Sequence, residues 1–293
     1  SGRKAGRDLG VCMNPEFMRE GTSLEDFYHP PFTVIGADDK RSTELVERIY
    51  EKVKAPIYRT SLAVAEMLKY ACNAFHGLKV AFANEIGNVC QACGIDGQKV
   101  MEIFCRDTKL NLSPYYLKPG FAFGGSCLPK DVRALTYYAR QHDLETPVLS
   151  AVLPSNREQI NRALLMIERT GSKHVGILGL SFKAGSDDLR ESPMIELAER
   201  LLGKGYNLSI FDREVSMARI FGSNKRYIER AIPHISSLMR DSVEEVVGAS
   251  EVVVLGKRDR AWDRSDLFTD KQVIDLVRIV AAESAREYQG ICW

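Results

Sequence analysis

The feature that most constrains the fold of this chain is the apolar stretch at residues 60–93, which contains no proline. It is rich in alanine, leucine, valine and phenylalanine, and its pattern predicts one long helix with a shorter helix at 96–104. At about 1.5 Å per residue, such a helix is roughly 50 Å long, which is unusual for a simple surface helix. We therefore expect it to run between domains and to bury one face against a second subunit.

The segments on either side of this helix both predict α/β structure. Residues 1–58 contain strand–helix–strand patterns, but no strand in them leads into a G-x-G-x-x-G turn, so we expect the end of an α/β unit whose first part is absent. Residues 59–153 form the expected central helical domain, with a long loop at 105–127 of a length that is usually functional. Residues 154–293 alternate strands and helices, which predicts a doubly wound parallel sheet. Ser155 and Glu158 form a capping box, which predicts a helix that starts at 155.

The composition excludes several classes of protein. The chain is 45% hydrophobic and 27% charged, as in soluble globular proteins, and no apolar run has the length of a membrane span. The net charge of +1 argues against nucleic acid or an anionic membrane as partner. Seven scattered cysteines, an odd number, indicate free thiols in a reducing cytoplasm. The C-x-x-C pair at 90 and 93 lacks the second pair that a structural zinc needs, so we expect no metal site.

The sharpest chemical motif is FAFGGSCLPKD at residues 121–131. Its glycines allow a ligand to approach the backbone closely. Cys127 directly precedes a predicted helix, and the positive end of the helix dipole favours a thiolate there. Lys130 adds a cation, and Asp131 is close enough to orient a water or the lysine. The alternative is a cysteine that only follows a glycine turn, and composition alone leaves the two interpretations equally open.

The long helix carries a second motif, in which Glu66, Lys69, Asn73 and His76 follow the spacing of one helix face. A polar stripe on an otherwise buried helix is costly unless its groups meet partners. Lysine and asparagine together are suited to stabilise a developing alkoxide. The alternative is a solvated stripe with no function.

Two further segments contain candidate residues. Near the N-terminus, Glu16 and Glu20 lie four residues apart, and either is a candidate general base. Residues 179–193 follow a predicted strand and precede a helix, where Lys183 and Arg190 are suited to phosphates. Asp212 ends the next strand as a ribose-binding acid would, although a structural role at a turn fits it better.

Taken together, the four segments resemble the UDP-glucose/GDP-mannose dehydrogenase family, in the same order and over nearly the whole chain. The two most specific patterns are G-G-S-C-L-P-K-D and L-S-F-K-A-G-S-D-D-L-R-E-S-P. Three stretches look most like the GDP-mannose-oxidising members of alginate producers, namely NLSPYYLKPGFAFGGSCLPKDVRALTYYA, NAFHGLKVAFANEIGN and the terminal GICW.

The resemblance implies a four-electron oxidation of the sugar C6 alcohol by NAD without release of the aldehyde. Cys127 is then the nucleophile that forms a thiohemiacetal and afterwards a thioester. Lys69 and Asn73 stabilise the C6 oxygen, and Asp131 with Glu16 manages water and proton transfer. The implied substrate is GDP-mannose, the product is GDP-mannuronate, and the implied location is the cytoplasm.

The resemblance also implies contacts to substrate and cofactor. The residues implied to bind the nucleotide sugar are Glu20, His76, Asn111, Tyr115, Tyr116, Lys118, Phe121, Gly124, Lys183 and Arg190. Lys130 and Arg190 are implied to lie near NAD. Some residues of the long loop at 105–127 are expected to serve the partner's site in a homodimer. Lys118 departs from the family, which usually has arginine there and so a bidentate contact.

Several alternatives remain at this point. The rival substrate is UDP-glucose or another UDP-hexose, and base recognition cannot be derived from spacing. A non-catalytic sugar-nucleotide-binding module would not need the cysteine, lysine, asparagine and aspartate set. A structural dimerisation protein leaves the loop at 183–190 unexplained. The resemblance implies that residues 1–58 are the remnant of the family's NAD-binding domain and that the loop before Cys127 is the catalytic loop of the central domain. Since the family's glycine-rich turn is not present, we expect the chain as given to bind NAD poorly and to lack activity on its own.

Overall fold

The computed structural model describes the whole chain except residues 1, 3–7, 19–21, 114, 115, 117, 118, 126, 182–187, 216–221, 280, 281 and 283. The helices are α1 (Ser23–Tyr28), α2 (Lys40–Glu47), α3 (Leu62–Ala92), α4 (Gly97–Phe104), α5 (Leu128–Gln141), α6 (Pro147–Arg169), α7 (Pro193–Gly203), α8 (Gly222–Ala231), α9 (Ile235–Leu238) and α10 (Val243–Gly248). The strands are β1 (Cys12–Met13), β2 (Thr33–Ala37), β3 (Ile57–Thr60), β4 (His174–Leu178), β5 (Asn207–Phe211), β6 (Val252–Leu255), β7 (Gln272–Asp275) and β8 (Glu287–Gly290). Short 3₁₀ turns lie at Arg48–Tyr50 and Ser265–Leu267.

The chain divides into two compact units, Ser1–Asn84 and Glu85–Trp293. The first unit contains a small sheet in the order β1-β2-β3, in which β2 pairs with β1 antiparallel and with β3 parallel. Val34 and Ile35 of β2 are buried. Gly36 permits close packing, because a Cβ there would lie 2.5 Å from the Cβ of Ala65 at the start of α3. The predicted strands at 33–37 and 55–59 and the helix from residue 40 are thereby confirmed.

The long helix α3 covers Leu62–Ala92 and confirms the helix predicted from the apolar stretch. Its exposure within the single chain differs from the expectation of a mostly buried helix. Val64, Met67, Phe75 and Leu78 are all exposed, with Met67 at 66%. The polar stripe is therefore not enclosed by buried neighbours in the chain taken alone.

The second unit contains the predicted parallel sheet, in the order β5-β4-β6-β7-β8 with all neighbours parallel. Its central strands are apolar on both faces, as expected for strands covered on both sides. The larger core cluster joins β4, β5 and β6 to α6 and α7 through side chains such as Ile167, Ile177 and Leu197. The α/β fold class with a doubly wound parallel sheet is confirmed.

The predicted start of the helix at 155 is wrong. Helix α6 begins at Pro147 and continues through Pro154, so the Ser155–Glu158 pair lies inside it. The first-turn amides of Val148 and Leu149 donate instead to the carboxylate of Glu85, at 2.7 and 2.9 Å. The division into domains at 58/59 and 153/154 stays a prediction, and α6 runs across the second of these positions.

Within the described residues, no helix has the length and apolar character needed to cross a membrane.

Candidate functional site

Cys127 is the N-cap residue of α5, which begins at Leu128 and has Pro129 in its first turn. The Cys127 carbonyl accepts from the Asp131 amide at 2.9 Å, as the first carbonyl of a helix does. The Cys127 residue is exposed and its thiol is free of any disulfide. The sequence-based placement of this thiol at a helix N-terminus is thus confirmed, and the helix dipole favours negative charge there.

The loop that precedes Cys127 is held against α6 by two amide side chains. Asn156 donates to the carbonyl of Phe123 at 2.8 Å and accepts from its amide at 2.9 Å. Gln159 donates to the carbonyl of Gly120 at 2.5 Å. Such a clamp fixes the backbone of a segment that belongs to neither a helix nor a strand.

Gly124 brings this loop into contact with the residues before α7. A Cβ at Gly124 would lie 2.4 Å from the carbonyl oxygen of Glu191 and 2.6 Å from Cδ of Pro193. Only a glycine permits this approach without a backbone shift. The glycine pair was predicted to admit a ligand, whereas at Gly124 the approaching group is the protein's own backbone. Phe121 is half-buried and packs on the core of the second unit.

Arg190 is the predicted site residue that the structure brings near Cys127. Its guanidinium donates to both carboxylate oxygens of Asp188, at 2.9 and 2.8 Å. The Asp188 hydrogen bonds raise the pKa of Arg190 foremost, and negative charge on Cys127 adds to the rise. Arg190 and a Cys127 thiolate therefore lie within electrostatic reach of one another.

Two ion pairs surround the start of α5. Lys130 and Asp131 pair at 3.3 Å, with both side chains largely exposed. Both terminal nitrogens of Arg133 donate to the Glu191 carboxylate, at 2.9 and 2.6 Å. The Arg133–Glu191 pair joins α5 to the residues just before α7. Because the pair is bidentate, it fixes the orientation of the two side chains as well as their distance.

In the first unit, the structure joins two predicted catalytic residues. Lys69 of α3 donates to the Glu16 carboxylate at 2.8 Å and also to the Glu16 carbonyl. The hydrogen bond from Lys69 is the main reason why the pKa of Glu16 lies below its ordinary value, with a contribution from the Met18 amide. Glu16 is therefore ionised at neutral pH. Asn73 and His76 lie on the same helix and are exposed.

The remaining predicted residues divide into two groups. Asn111 is exposed and donates to the carbonyl of Phe104 at 3.2 Å, and Tyr116 is 76% exposed with a φ of 64°. The other group lies outside the described residues, and it consists of Glu20, Tyr115, Lys118 and Lys183.

Sequence reasoning missed the residues that hold the site in place. Asn156, Gln159, Glu191 and Arg133 are distant in sequence from their partners, and polar residues on α6 give no periodic signal. It also missed the buried ammonium of Lys257. The structural role of Asp212 at a turn is confirmed, because its carboxylate accepts from the Leu180 and Ser181 amides at 2.7 and 2.9 Å and is not free for a ribose.

Comparison with known proteins matches three stretches to one family. The UDP-glucose/GDP-mannose dehydrogenase family matches through its NAD binding domain at residues 1–54, its central domain at 63–158 and its UDP binding domain at 176–282.

Individual relatives agree with the family match. The chain is 54% identical over 301 residues to the GDP-mannose 6-dehydrogenase of Pseudomonas aeruginosa, and the alignment covers 100% of this chain and 68% of that protein. It is 52% identical over 295 residues to the GDP-mannose 6-dehydrogenase of Azotobacter vinelandii, with the same coverages. A crystal structure of a ternary complex of GDP-mannose dehydrogenase from Pseudomonas aeruginosa superposes with a TM-score of 0.93 at 54% identity, over 100% of this chain and 68% of that one. With its cysteine at the helix N-terminus and these three matched domains, the chain belongs to the UDP-glucose/GDP-mannose dehydrogenase family.

Proposed function

We propose that the protein oxidises GDP-mannose at C6 to GDP-mannuronate, with Cys127 as the covalent nucleophile. The observation that carries the proposal is the 54% identity to a GDP-mannose 6-dehydrogenase over the whole chain. It is supported by the exposed thiol of Cys127 at the start of α5. The implied downstream product is an exopolysaccharide such as alginate.

The proposed chemistry of Cys127 has three steps. The C6 alcohol first loses a hydride and a proton to give an aldehyde. The thiolate adds to the aldehyde carbon and the oxygen takes up a proton, which gives a thiohemiacetal. Loss of a second hydride, together with the hydroxyl proton, then gives a thioester. Water then attacks the thioester carbonyl, the thiolate leaves, and the carboxylate is released. NAD, when bound, accepts the hydrides, and each of two NAD molecules takes one of them.

The other residues supply cations and bases to this chemistry. We assign Lys69 and Asn73 to the C6 oxygen, where an ammonium and an amide stabilise developing negative charge. We assign Glu16 and Asp131 to water and proton transfer. The hydrogen bond from Lys69 keeps the Glu16 carboxylate in the proton-accepting form, and Asp131 pairs with Lys130 at 3.3 Å.

The residues fit NAD in one respect and not in another. Lys130 and Arg190 carry cations whose side chains are 66% and 39% exposed, which suits a diphosphate. We assign Lys130 and Arg190 to the diphosphate of NAD, and Arg190 also to the diphosphate of the nucleotide sugar. The turn from β2 to α2 does not suit a diphosphate. It carries Asp38 and Asp39, and Asp39 itself caps the helix through the Ser42 amide at 2.8 Å. Two carboxylates at a helix N-terminus repel the anion that such a terminus would otherwise attract.

We also propose that the protein forms a homodimer through α3. At 100° per residue, Val64, Met67, Phe75 and Leu78 fall on one face, and the polar stripe of Lys69 and its neighbours falls on the opposite face. An exposed apolar face of this kind is typical of a surface that a partner covers. A second copy on that face leaves the polar stripe open to substrate. We further infer a cytoplasmic location, which the seven free cysteines support.

Calorimetry with GDP-mannose and UDP-glucose, without NAD, tests the substrate assignment. We expect GDP-mannose to bind and UDP-glucose to bind at least about tenfold more weakly, a difference of about 1.4 kcal/mol. A preference for UDP-glucose would refute the GDP-mannose assignment and leave the cysteine mechanism in place. Tight binding combined with an unreactive Cys127 would favour the binding-module alternative.

A further inference from the structure

Lys257 is a buried lysine to which the proposed mechanism gives no role. The residue is 3% exposed, and its ammonium donates to Asp212 at 2.6 Å, to Ser181 at 3.0 Å and to Glu214. Its backbone is fixed as well, since its carbonyl accepts from the indole of the buried Trp262 at 2.9 Å. A buried charge is costly unless it is paired and hydrogen-bonded, so this geometry is tightly determined.

Lys257 and two of its partners lie just after three adjacent strands. Ser181 follows β4, Asp212 follows β5, and Lys257 itself follows β6. In the sheet order β5-β4-β6, the connection after β4 leads through α7 to β5 on one side of β4, and β6 lies on the other side of β4. Ligands of doubly wound proteins bind in the crevice at this point, outside the carboxyl ends of the strands.

The backbone at Lys257 packs closely against Gly179, the residue that follows β4. Gly179 has a φ of +95°, and a Cβ there would lie 2.4 Å from Cβ of Lys257. The carboxylate of Asp212 receives the Leu180 and Ser181 amides in addition to the Lys257 ammonium. Burial alone would raise the pKa of Asp212, but the hydrogen bonds from Lys257 and Ser181 outweigh it and hold the pKa below its ordinary value.

Leu180 and Ser181 are joined to the start of α7 by one side-chain hydrogen bond. Ser192, the N-cap of α7, donates to the carbonyl of Leu180 at 2.7 Å. Arg190 lies just before Ser192 and within electrostatic reach of Cys127. Through Ser192, the place of Leu180 bears on the cation that the proposed function assigns to the substrate diphosphate.

We propose that Lys257 is a positioning residue for the nucleotide sugar. Through Asp212 and Ser181 it fixes Leu180, and through the hydrogen bond from Ser192 to the Leu180 carbonyl it fixes the place of Arg190. This inference rests on the proposed function for the role of Arg190. Lys257 does not touch the substrate, and its effect passes through Leu180 and Ser192.

A double-mutant cycle tests this inference. Lys257→Gln keeps an amide donor for Asp212 but removes the ammonium, and we expect it to weaken GDP-mannose binding about tenfold by calorimetry. Arg190→Ala is expected to weaken binding in the parent chain and to cost much less in the Lys257→Gln background, because the guanidinium is already displaced. Lys204→Gln, which removes an exposed ion pair to Glu168, is the matched control and should leave affinity unchanged. If the Lys257 and Arg190 effects simply multiply, or if Lys257→Gln changes nothing, the inference is wrong.

Hydrogen exchange at the Leu180 and Ser181 amides separates this inference from the proposed function. We expect both amides to exchange faster in Lys257→Gln and not in Lys204→Gln, whether or not any nucleotide sugar binds. Unchanged exchange would overturn the positioning role, whereas a failure of the parent chain to bind GDP-mannose would overturn only the proposed substrate. Should Lys257→Gln not fold, Ser181→Ala keeps the charges paired and is expected to weaken binding about threefold, the effect of one hydrogen bond.

Discussion

Two exposed cysteines differ in which end of a helix they occupy. Cys127 is the N-cap of α5, whereas Cys105 is the C-cap of α4. The positive end of the dipole and the nearby Arg190 favour negative charge on Cys127, and the negative end disfavours it on Cys105. We predict that iodoacetamide alkylates Cys127 about tenfold faster than Cys105 at neutral pH, by peptide mapping after timed quenching.

The contribution of Arg190 to this reactivity is separable from that of the helix. Arg190→Met should slow the alkylation of Cys127 about threefold, since one cation within reach is lost, and should leave Cys105 unaffected. Equal rates for the two cysteines in the parent chain would contradict an activated Cys127 and favour the alternative of a cysteine that only follows a glycine turn.

The Glu16–Lys69 ion pair leads to a prediction about pH dependence. Because the Lys69 hydrogen bond lowers the pKa of Glu16 from its ordinary value of 4.5, the carboxylate stays ionised as the pH falls toward that value. The pair therefore stabilises the native state above the ordinary pKa, and this contribution is lost as pH falls through the lowered one. In a carbon-detected NMR titration, Lys69→Met should raise the Glu16 midpoint, and Lys79→Met on the same helix should not. An unchanged midpoint would mean that the ion pair does not persist in solution.

At the scale of elements, α6 shows how a distant residue determines where a helix begins. Glu85, which is 7% exposed, accepts the Val148 and Leu149 amides and so caps the first turn. We predict that Glu85→Ala lowers the free energy of unfolding by about 2 kcal/mol, because the buried Leu149 amide and the half-buried Val148 amide lose their acceptor.

Glu158 is the matched control for this prediction. It was the local candidate for a capping residue, but it lies inside α6, and in the contacts that the structure records it accepts only from the half-buried Asn161. Glu158→Ala should change the free energy of unfolding by less than about 0.5 kcal/mol in a urea titration. A larger loss from Glu158→Ala than from Glu85→Ala would show that the helix starts at 155 after all.

The same helix explains why the elements were only partly predictable from the sequence. The apolar strands β4, β6 and β7 and the uninterrupted helix α3 follow from periodicity, because burial determines their pattern. The start of α6 does not, since a local capping box indicated a start at 155 while the actual cap comes from Glu85, 63 residues before Val148. Short elements such as β1 and β8 escaped prediction because their pairing depends on neighbouring strands.

The candidate site was predictable to a similar extent. Cys127 at a helix N-terminus and the Lys69 stripe on one helix face follow from spacing along the chain. The clamp by Asn156 and Gln159 and the buried Lys257 depend on contacts between residues that are far apart in sequence. A polar residue on a helix gives no sign of such a partner until the fold is known.

At the scale of the whole molecule, the exposed apolar face of α3 predicts a dimer that one substitution should weaken. Met67 belongs to this face and is 66% exposed. Met67→Glu places a carboxylate where the second copy is expected to pack, which we predict to weaken association by about 2 kcal/mol, or roughly 30-fold in Kd. Sedimentation velocity over a range of protein concentrations measures this shift.

The control for this dimer is a substitution of an equally exposed apolar residue elsewhere in the same unit. Leu24 in α1 is 78% exposed and does not belong to the α3 face, so Leu24→Glu should leave the sedimentation profile unchanged. Because the polar stripe lies on the opposite side of α3, Met67→Glu should also leave the Glu16–Lys69 ion pair intact. A parent chain that sediments as a monomer at every concentration, or one whose association responds equally to both substitutions, would exclude α3 as the dimer interface.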